Sequence, residues 1–526
     1  MRAETVLSTP PAAVAARPEG RSLTRRASLT AVGSMLDYGA KVLVYLVVTP
    51  ILVSGLGRTV YGIWEMLARL GGYLTVTDGR PTEALRLIIA QKQDEPDDSN
   101  KRRVVGAAMA VWLLMLPLTL VVGGALAWWL APMLIQPGPG LLGDVRLTFA
   151  ILVVSFLVTS LGLIPESVLR GMNLGYKRMG LQAALNLLGG ALAAGAIWQG
   201  LGLVGLGSAQ AIRAAITGLC FWLLVRRFVA WWGAERPARL EVRALFGMSL
   251  WLMLGDALAK ILLASDVLIL GAVIAPAAVT TYALTGYAAR TAVGIHVFAA
   301  GAAIPGLGGL LGRAELARAA AVRRELLLLT WLFVTVVGST ILLWNRAFIG
   351  MWIGPVNYAG TGIDLLVVLV AVQTAFVRTD AYIIDATLRP KARVLFSAVS
   401  AAFLIALGLP LTHLFGLPGL CVGILAARGI QSVAYPVLVR KALGPHEHRG
   451  TALTSLRLAT VTGLLFAPAA MLSQRLEPAG WLEWSAGVAL TIPLVAGTAL
   501  LLGPDTDSRR ILLGRVRGIL RMGRGS

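Results

Sequence analysis

The 526-residue chain is 57% hydrophobic and only 14% charged, with a mean hydropathy of +0.76, which excludes an ordinary soluble domain. Its formal net charge of +21 raises nucleic acid as a partner, but in a chain this apolar the 47 Lys and Arg are first sorted by membrane topology. The fold class expected is an all-α polytopic membrane protein.

A bilayer core about 30 Å thick takes roughly 20 apolar helical residues per crossing, and about fourteen such stretches lie between charge clusters. They fall near 27–52, 59–78, 104–131, 147–169, 180–199, 203–225, 246–270, 277–303, 325–344, 363–388, 394–414, 417–439, 453–473 and 481–503. The first is of full spanning length and leads straight to the next, unlike the short core of a signal peptide, so it is read as helix one.

With the N-terminus inside, most basic residues fall on the inner side, at 2–26, 80–103, 170–178, 226–243, 313–324, 389–393, 440–449 and 509–524. The outer loops hold only Arg58, Arg146, Arg346 and Arg475. This positive-inside bias places both termini in the cytoplasm and removes nucleic acid as the expected partner; the membrane expected is a bacterial inner membrane.

The chain repeats itself. Asp37 and Lys41 of helix one match Asp256 and Lys260 of helix seven, and Tyr61 with Arg69 of helix two match Tyr282 with Arg290 of helix eight. Leu201-Gly202 opening helix six matches Phe415-Gly416 opening helix twelve, with Arg213 and Arg428 inside the two helices. The offset stays near 214–221 positions throughout, so about six helices make one unit. An even number of crossings inserts both copies in the same orientation, as parallel repeats. The expected organisation is a basic tail at 1–26, a six-helix bundle at 27–228, a cytoplasmic linker at 229–245, a second bundle at 246–441, helices 13 and 14 within 442–503, and a basic tail at 504–526. The Arg-rich run 509–524, which alternates with Ile, Leu and Val, suits either a helix lying on anionic lipid or a solubilising tail.

An ionisable side chain mid-span costs at least about 2.5–3.5 kcal/mol, so such groups face protein or water. Arg69 stands about ten residues from either end of its helix, roughly 15 Å, near the midplane, and Arg290 holds the matching place. Two guanidinium groups across a cleft form a clamp for phosphate or pyrophosphate, since each donates parallel hydrogen bonds and keeps its charge. The competing reading neutralises each within its own bundle, by Glu65 four residues before Arg69 or by Asp266. Lys41, Lys260, Arg213 and Arg428 are further cavity candidates, and Asp37 and Asp256 are coupling-ion candidates unless they pair with the lysines four residues on. Arg378 and Arg457 lie close enough to span ends to snorkel, and His296 is expected buried or in a cavity without a metal role.

Asp78-Gly79-Arg80 with Glu83 and Arg86 opens an amphipathic segment on the inner surface. No nucleotide-binding loop, zinc-protease motif or nucleophile elbow occurs, and Cys220 and Cys421 sit singly in apolar spans. Neither an enzyme nor a cofactor is expected.

Arg25-Arg26, Pro50, Leu56-Gly57, Tyr61-Gly62, Trp64, then Asp78-Gly79 with Ala84, Arg86 and Ala90, and Leu169-Arg-Gly-Met-Asn closing helix four, form a pattern. It resembles the Wzx-type O-antigen and polysaccharide flippases of the multidrug/oligosaccharidyl-lipid/polysaccharide exporter superfamily. The resemblance implies a V of two bundles around a cationic cavity that moves a polyprenyl-pyrophosphate-linked oligosaccharide by alternating access. It also implies the bilayer, the lipid-linked substrate and the glycosyltransferases or polymerase of the same pathway as partners. Relatives that flip the peptidoglycan precursor also have fourteen helices, the last two holding the lipid tail, and the arginines of helices two and eight resemble their cavity arginines. The Asp37-Lys41 spacing departs from the serine-arginine cluster of that branch. Alternatives are a lipid II flippase, a cation-coupled multidrug exporter, or a membrane scaffold that moves nothing.

Overall fold

The computed structural model describes residues 20–138, 140–178, 180–387, 391–444, 452–506, 508–510 and 514, and the regular structure among them is helical throughout. The N-terminal tail 1–19 and most of the C-terminal run 511–526 lie outside these residues.

Helix α1 (Gly20–Tyr73) carries two crossings, because Gly57 adopts φ 73° and turns the chain back on itself. The Tyr45 and Tyr61 hydroxyls, 16 positions apart, meet at 3.3 Å, where a continuous helix would hold them about 24 Å apart. Glycine reaches this conformation without a Cβ penalty. At the end away from Gly57, Asp78 accepts from the Arg80 amide at 2.8 Å and starts α2 (Pro81–Gln91). The apolar face of α2, Ala84, Leu85 and Ile89, is fully buried in the protein, and Glu83 on its polar side meets Arg86 at 2.9 Å and Arg170 at 3.7 Å.

Asp97 caps α3 (Asp98–Ala125) by accepting from the Ser99 and Asn100 amides at 3.0 and 3.3 Å. A π-helical turn at 126–130 extends α3 into α4 (Ala131–Ile135). Then come α5 (Leu142–Gly171), α6 (Leu181–Trp198) and α7 (Gly202–Phe228).

The segment 229–238 is strapped against α3. Arg102 donates to the Trp231 carbonyl at 2.8 Å and its own carbonyl receives the Glu235 amide at 3.1 Å. Helix α8 (Arg239–Val273) begins earlier than the 246 expected, because Glu241 reaches back to the Ala238 amide at 2.8 Å and satisfies the N-terminus. Its first turns belong to the core under α3, where Leu245 is 1% exposed.

Helix eight is broken into α9 (Pro276–Thr285) and α10 (Tyr287–Gly301) at Gly286. There follow α11 (Ile304–Gly312), α12 (Leu316–Trp352), α13 (Thr361–Ala386) and α14 (Lys391–Leu443). Helix α14 repeats the device of α1: it turns at Gly416, φ 63°, so that Gly408 and Gly423 come into backbone contact. Gly202, the matching position of the first half, has φ 56°. α15 (Ala452–Leu472) and α16 (Trp481–Leu502) pack on α12. Eleven helices among the described residues are long and apolar enough to span, α1 and α14 twice each. With α8 they account for the fourteen crossings.

Toward the Gly57 end one core serves both halves, with Met66, Leu67, Phe149 and Leu203 packed with Val267, Leu270, Val279 and Leu420. Toward the basic end there are two cores: one holds α2, α3, α5, the strap and the first turns of α8, the other Leu307, Ile383, Tyr435 and Leu443. The halves therefore share one core toward the Gly57 end, and toward the basic end the cores are two, with α8 of the second half still packed on α2 and α3.

Candidate functional site: a cationic cavity between the two halves

Between the two halves lies a cavity of about 220 Å³ lined by Tyr38, Tyr45, Glu65 and Arg69 from α1 and by Tyr287, Arg290 and Thr291 from α10. Each half contributes one arginine. Arg69 makes no hydrogen bond or ion pair within 4 Å among the described residues, and Asp266 and Glu65 are the carboxylates in electrostatic reach of it. The Glu65 carboxylate accepts from Tyr61 Oη at 2.9 Å rather than closing the four-residue pair with Arg69.

Arg290 is held by the helix break. Its guanidinium donates to the Ala283 carbonyl in α9 and lies 5.7 Å from the centre of the Tyr282 ring. Gly286 leaves room for it, since a Cβ there would stand 2.7 Å from Arg290 Nη1 and the guanidinium would have to shift. Tyr282 in turn donates to Asp266 at 2.9 Å, as its counterpart Tyr61 donates to Glu65.

Toward the Gly57 end the cavity is closed by aromatic rings. Tyr45 and Tyr287 stack with centroids 4.2 Å apart, and Trp352 leans on both while donating to the Leu46 carbonyl at 2.7 Å. Beyond them Arg58 and the Thr280-Thr281 pair clasp the halves: Thr280 Oγ1 donates to the Arg58 carbonyl and Arg58 Nη2 donates to Thr281 Oγ1, both at 2.6 Å. Gly62 lies so close to the Pro276 carbonyl that no side chain fits. Toward the basic end Tyr38 donates to the Thr291 carbonyl at 2.8 Å.

The other charges singled out in the sequence lie elsewhere. Arg428 is buried and ties α14 to its own half, donating to the Leu262 carbonyl at 2.9 Å and to Thr374. Arg213 packs against Gly189 of α6 and donates to Gln210 at 3.3 Å. Both face neighbouring helices of their own half, where backbone and side-chain acceptors offset burial, and neither lines the cavity. Lys41 is exposed and makes no ion pair with Asp37 within 4 Å among the described residues; Asp37 Oδ1 is buried without a hydrogen-bond partner. Lys260 Nζ rests beside Gly72 of α1, and its backbone carbonyl accepts from Tyr73 at 3.3 Å. Asp256 lies on α8, its side chain outside the described residues. His296 is buried, 3.1 Å from Thr379 Oγ1.

Sequence reasoning missed the tyrosines and Thr291. The signal was present as spacing, since Tyr38 and Tyr45 are seven apart and Tyr287, Arg290 and Thr291 share one helical face.

Two helical halves around a polar central cavity are an arrangement found in solved membrane proteins. An inward-facing multidrug resistance transporter of the MATE family superposes with TM-score 0.64 at 14% identity, covering 82% of this chain and 100% of that one. The lipid II flippase MurJ in an inward closed conformation gives 0.63 at 11% identity, with 91% and 98% covered, and the eukaryotic MATE transporter AtDTX14 gives 0.58 at 13%, with 82% and 99%. No curated protein sequence matches the chain. Residues 25–310 match the family described as Polysaccharide biosynthesis protein, and the chain belongs to that family. It is a multi-pass membrane protein with the fold of these solved transporters.

Proposed function

We propose that the protein moves a polyprenyl-pyrophosphate-linked oligosaccharide from the cytoplasmic to the outer leaflet of a bacterial inner membrane, for O-antigen, capsule or exopolysaccharide assembly. The observation that carries this reading is the sharing of one cavity by Arg69 and Arg290. Paired guanidinium groups in a partly desolvated site suit a pyrophosphate, and tyrosine rings and hydroxyls beside them suit the sugar that follows. The cavity holds the head group while the polyprenyl chain stays in lipid.

In this reading the parallel-repeat bundles 27–228 and 246–441 rock about the Gly57-end contacts, both termini are cytoplasmic, and glycosyltransferases of the same pathway supply the substrate. Reconstitution into vesicles with fluorescent lipid-linked oligosaccharide tests it: the wild type carries label to the far leaflet and Arg69→Ala/Arg290→Ala does not. Equal transfer in vesicles with and without the wild-type protein removes the transporter reading and leaves a scaffold.

A further inference from the structure

Asp364, one turn into α13 and 1% exposed, is a buried acid without a base. The other buried aspartate of this half, Asp380, is gripped by Arg323 through Nε at 3.0 Å and Nη2 at 3.1 Å. Asp364 receives only neutral donors, Asn345 Nδ2 at 2.8 Å and Tyr358 Oη at 3.2 Å.

No charged group among the described residues answers it from the elements packed around it. Arg346, beside Asn345 on α12, turns away to the Gln474 carbonyl at 2.7 Å and to Glu477 at 3.9 Å. Leu417 and Leu420 of α14 belong to the apolar cluster around Ile363 and Val367, and α9 brings Thr285. His296 of α10 meets α13 at Thr379, about 22 Å further along the helix. Among the described residues Tyr358 is the one titratable group in contact.

Asn345 links this acid to the cavity. Its Nδ2 donates at once to Asp364 Oδ1 and to the Thr285 carbonyl, at 2.8 and 2.9 Å. Two acceptors on one side fix the amide's orientation and leave Asn345 Oδ1 buried with no donor. Thr285 ends α9, and its hydroxyl accepts from the Ala359 amide at 2.9 Å. The next residue, Gly286, is the break onto which Arg290 folds.

We propose that Asp364 binds a proton from the Gly57 side of the membrane and that this resets the α9–α10 joint carrying Arg290. One proton passes from water to the carboxylate, and no other covalent bond changes. The new O–H needs an acceptor, and Asn345 Oδ1 is the buried acceptor without a donor. Rotation of the amide to meet it removes Nδ2 from the Thr285 carbonyl and loosens the joint. A metal cation is poorly served, since a hard ion such as calcium favours several carboxylates and no group of three His, Cys, Asp or Glu side chains occurs among the described residues. Intramembrane acids of transporters commonly act as proton relays. The link to Arg290 rests on the reading of the cavity as the substrate site; the proton uptake does not.

Infrared difference spectra of the full chain in lipid nanodiscs, acid against neutral, test the uptake. The wild type is expected to show a protonated-carboxyl band that Asp364→Asn removes, and Tyr358→Phe, which keeps the acid and takes away one donor, is expected to displace its midpoint. A band unchanged in Asp364→Asn, or a wild-type midpoint in Tyr358→Phe, overturns the assignment. In vesicles a pH difference should change wild-type translocation at least about fivefold and leave Asp364→Asn unaffected; an equal response of both overturns the coupling. If no lipid-linked sugar moves while the band is present and lost in Asp364→Asn, the transport reading falls and the proton site stands.

Discussion

Tyr45 of the first half and Tyr287 of the second stack face to face, ring centroids 4.2 Å apart and planes 6° apart, across the boundary between the two halves. The pair sits between the arginine-lined cavity and the Gly57 end. Any substrate that leaves by that end must part these rings.

Truncating either ring should therefore favour opening at the Gly57 end. A stacked aromatic pair contributes about 0.5–1.5 kcal/mol, so Tyr45→Ala should shift the population by about two- to tenfold. Thiol labelling of Tyr38→Cys, with Cys220 and Cys421 replaced, should become faster from the Gly57 side; an unchanged labelling rate would mean that the stack does not hold the seal.

Gly62 meets the Pro276 carbonyl with no room for a Cβ. Gly62→Val should wedge α1 from α9 at a cost of about 1–3 kcal/mol. The clasp of Arg58 on Thr280 and Thr281 should then be lost, read as a lower unfolding temperature in detergent, and an unchanged unfolding temperature in Gly62→Val would contradict the close approach.

The strap 229–238 should depend on Gly106, where a Cβ would overlap the Glu235 carbonyl. Gly106→Val is expected to detach the strap and expose it to limited proteolysis in inside-out vesicles, while the spans stay inserted. Equal cleavage of wild type and variant would contradict the tether.

Arg323 and Asp380 form a bidentate pair, 9% and 7% exposed at the side chain. Asp380→Ala leaves a buried guanidinium and should cost about 3–5 kcal/mol, read as a lower unfolding temperature in detergent. Arg323→Met/Asp380→Leu should recover most of the loss, because the pair's net contribution against an apolar replacement is small.

The sequence carried the crossings because lipid demands long apolar runs whatever the neighbours, and the turns at Gly57 and Gly416 fall where its charge and glycine patterns put them. The repeat also surfaced in paired details: Tyr61 and Tyr282 each donate to a carboxylate, and Gly202 and Gly416 both adopt positive φ. What it did not carry is which way a charge faces. Arg69 and Arg428 look alike in a hydropathy trace, yet one opens onto a cavity and the other is tied to Leu262 and Thr374. That difference is fixed by partners as far as 166 positions away. The break at Gly286 and the Asp364–Asn345–Thr285 link are equally tertiary, since nothing local marks Asn345 as the neighbour of both.

Direct binding of a polyprenyl-pyrophosphate-linked oligosaccharide to the purified protein tests the central claim most directly. Hydrogen bonds to charged groups contribute about 1.5–3 kcal/mol each, so removing one arginine should weaken binding by about tenfold or more and removing both by more again. The monophosphate-linked lipid should be far less affected. An Arg69→Ala/Arg290→Ala protein that binds the pyrophosphate lipid as tightly as the wild type would contradict the account.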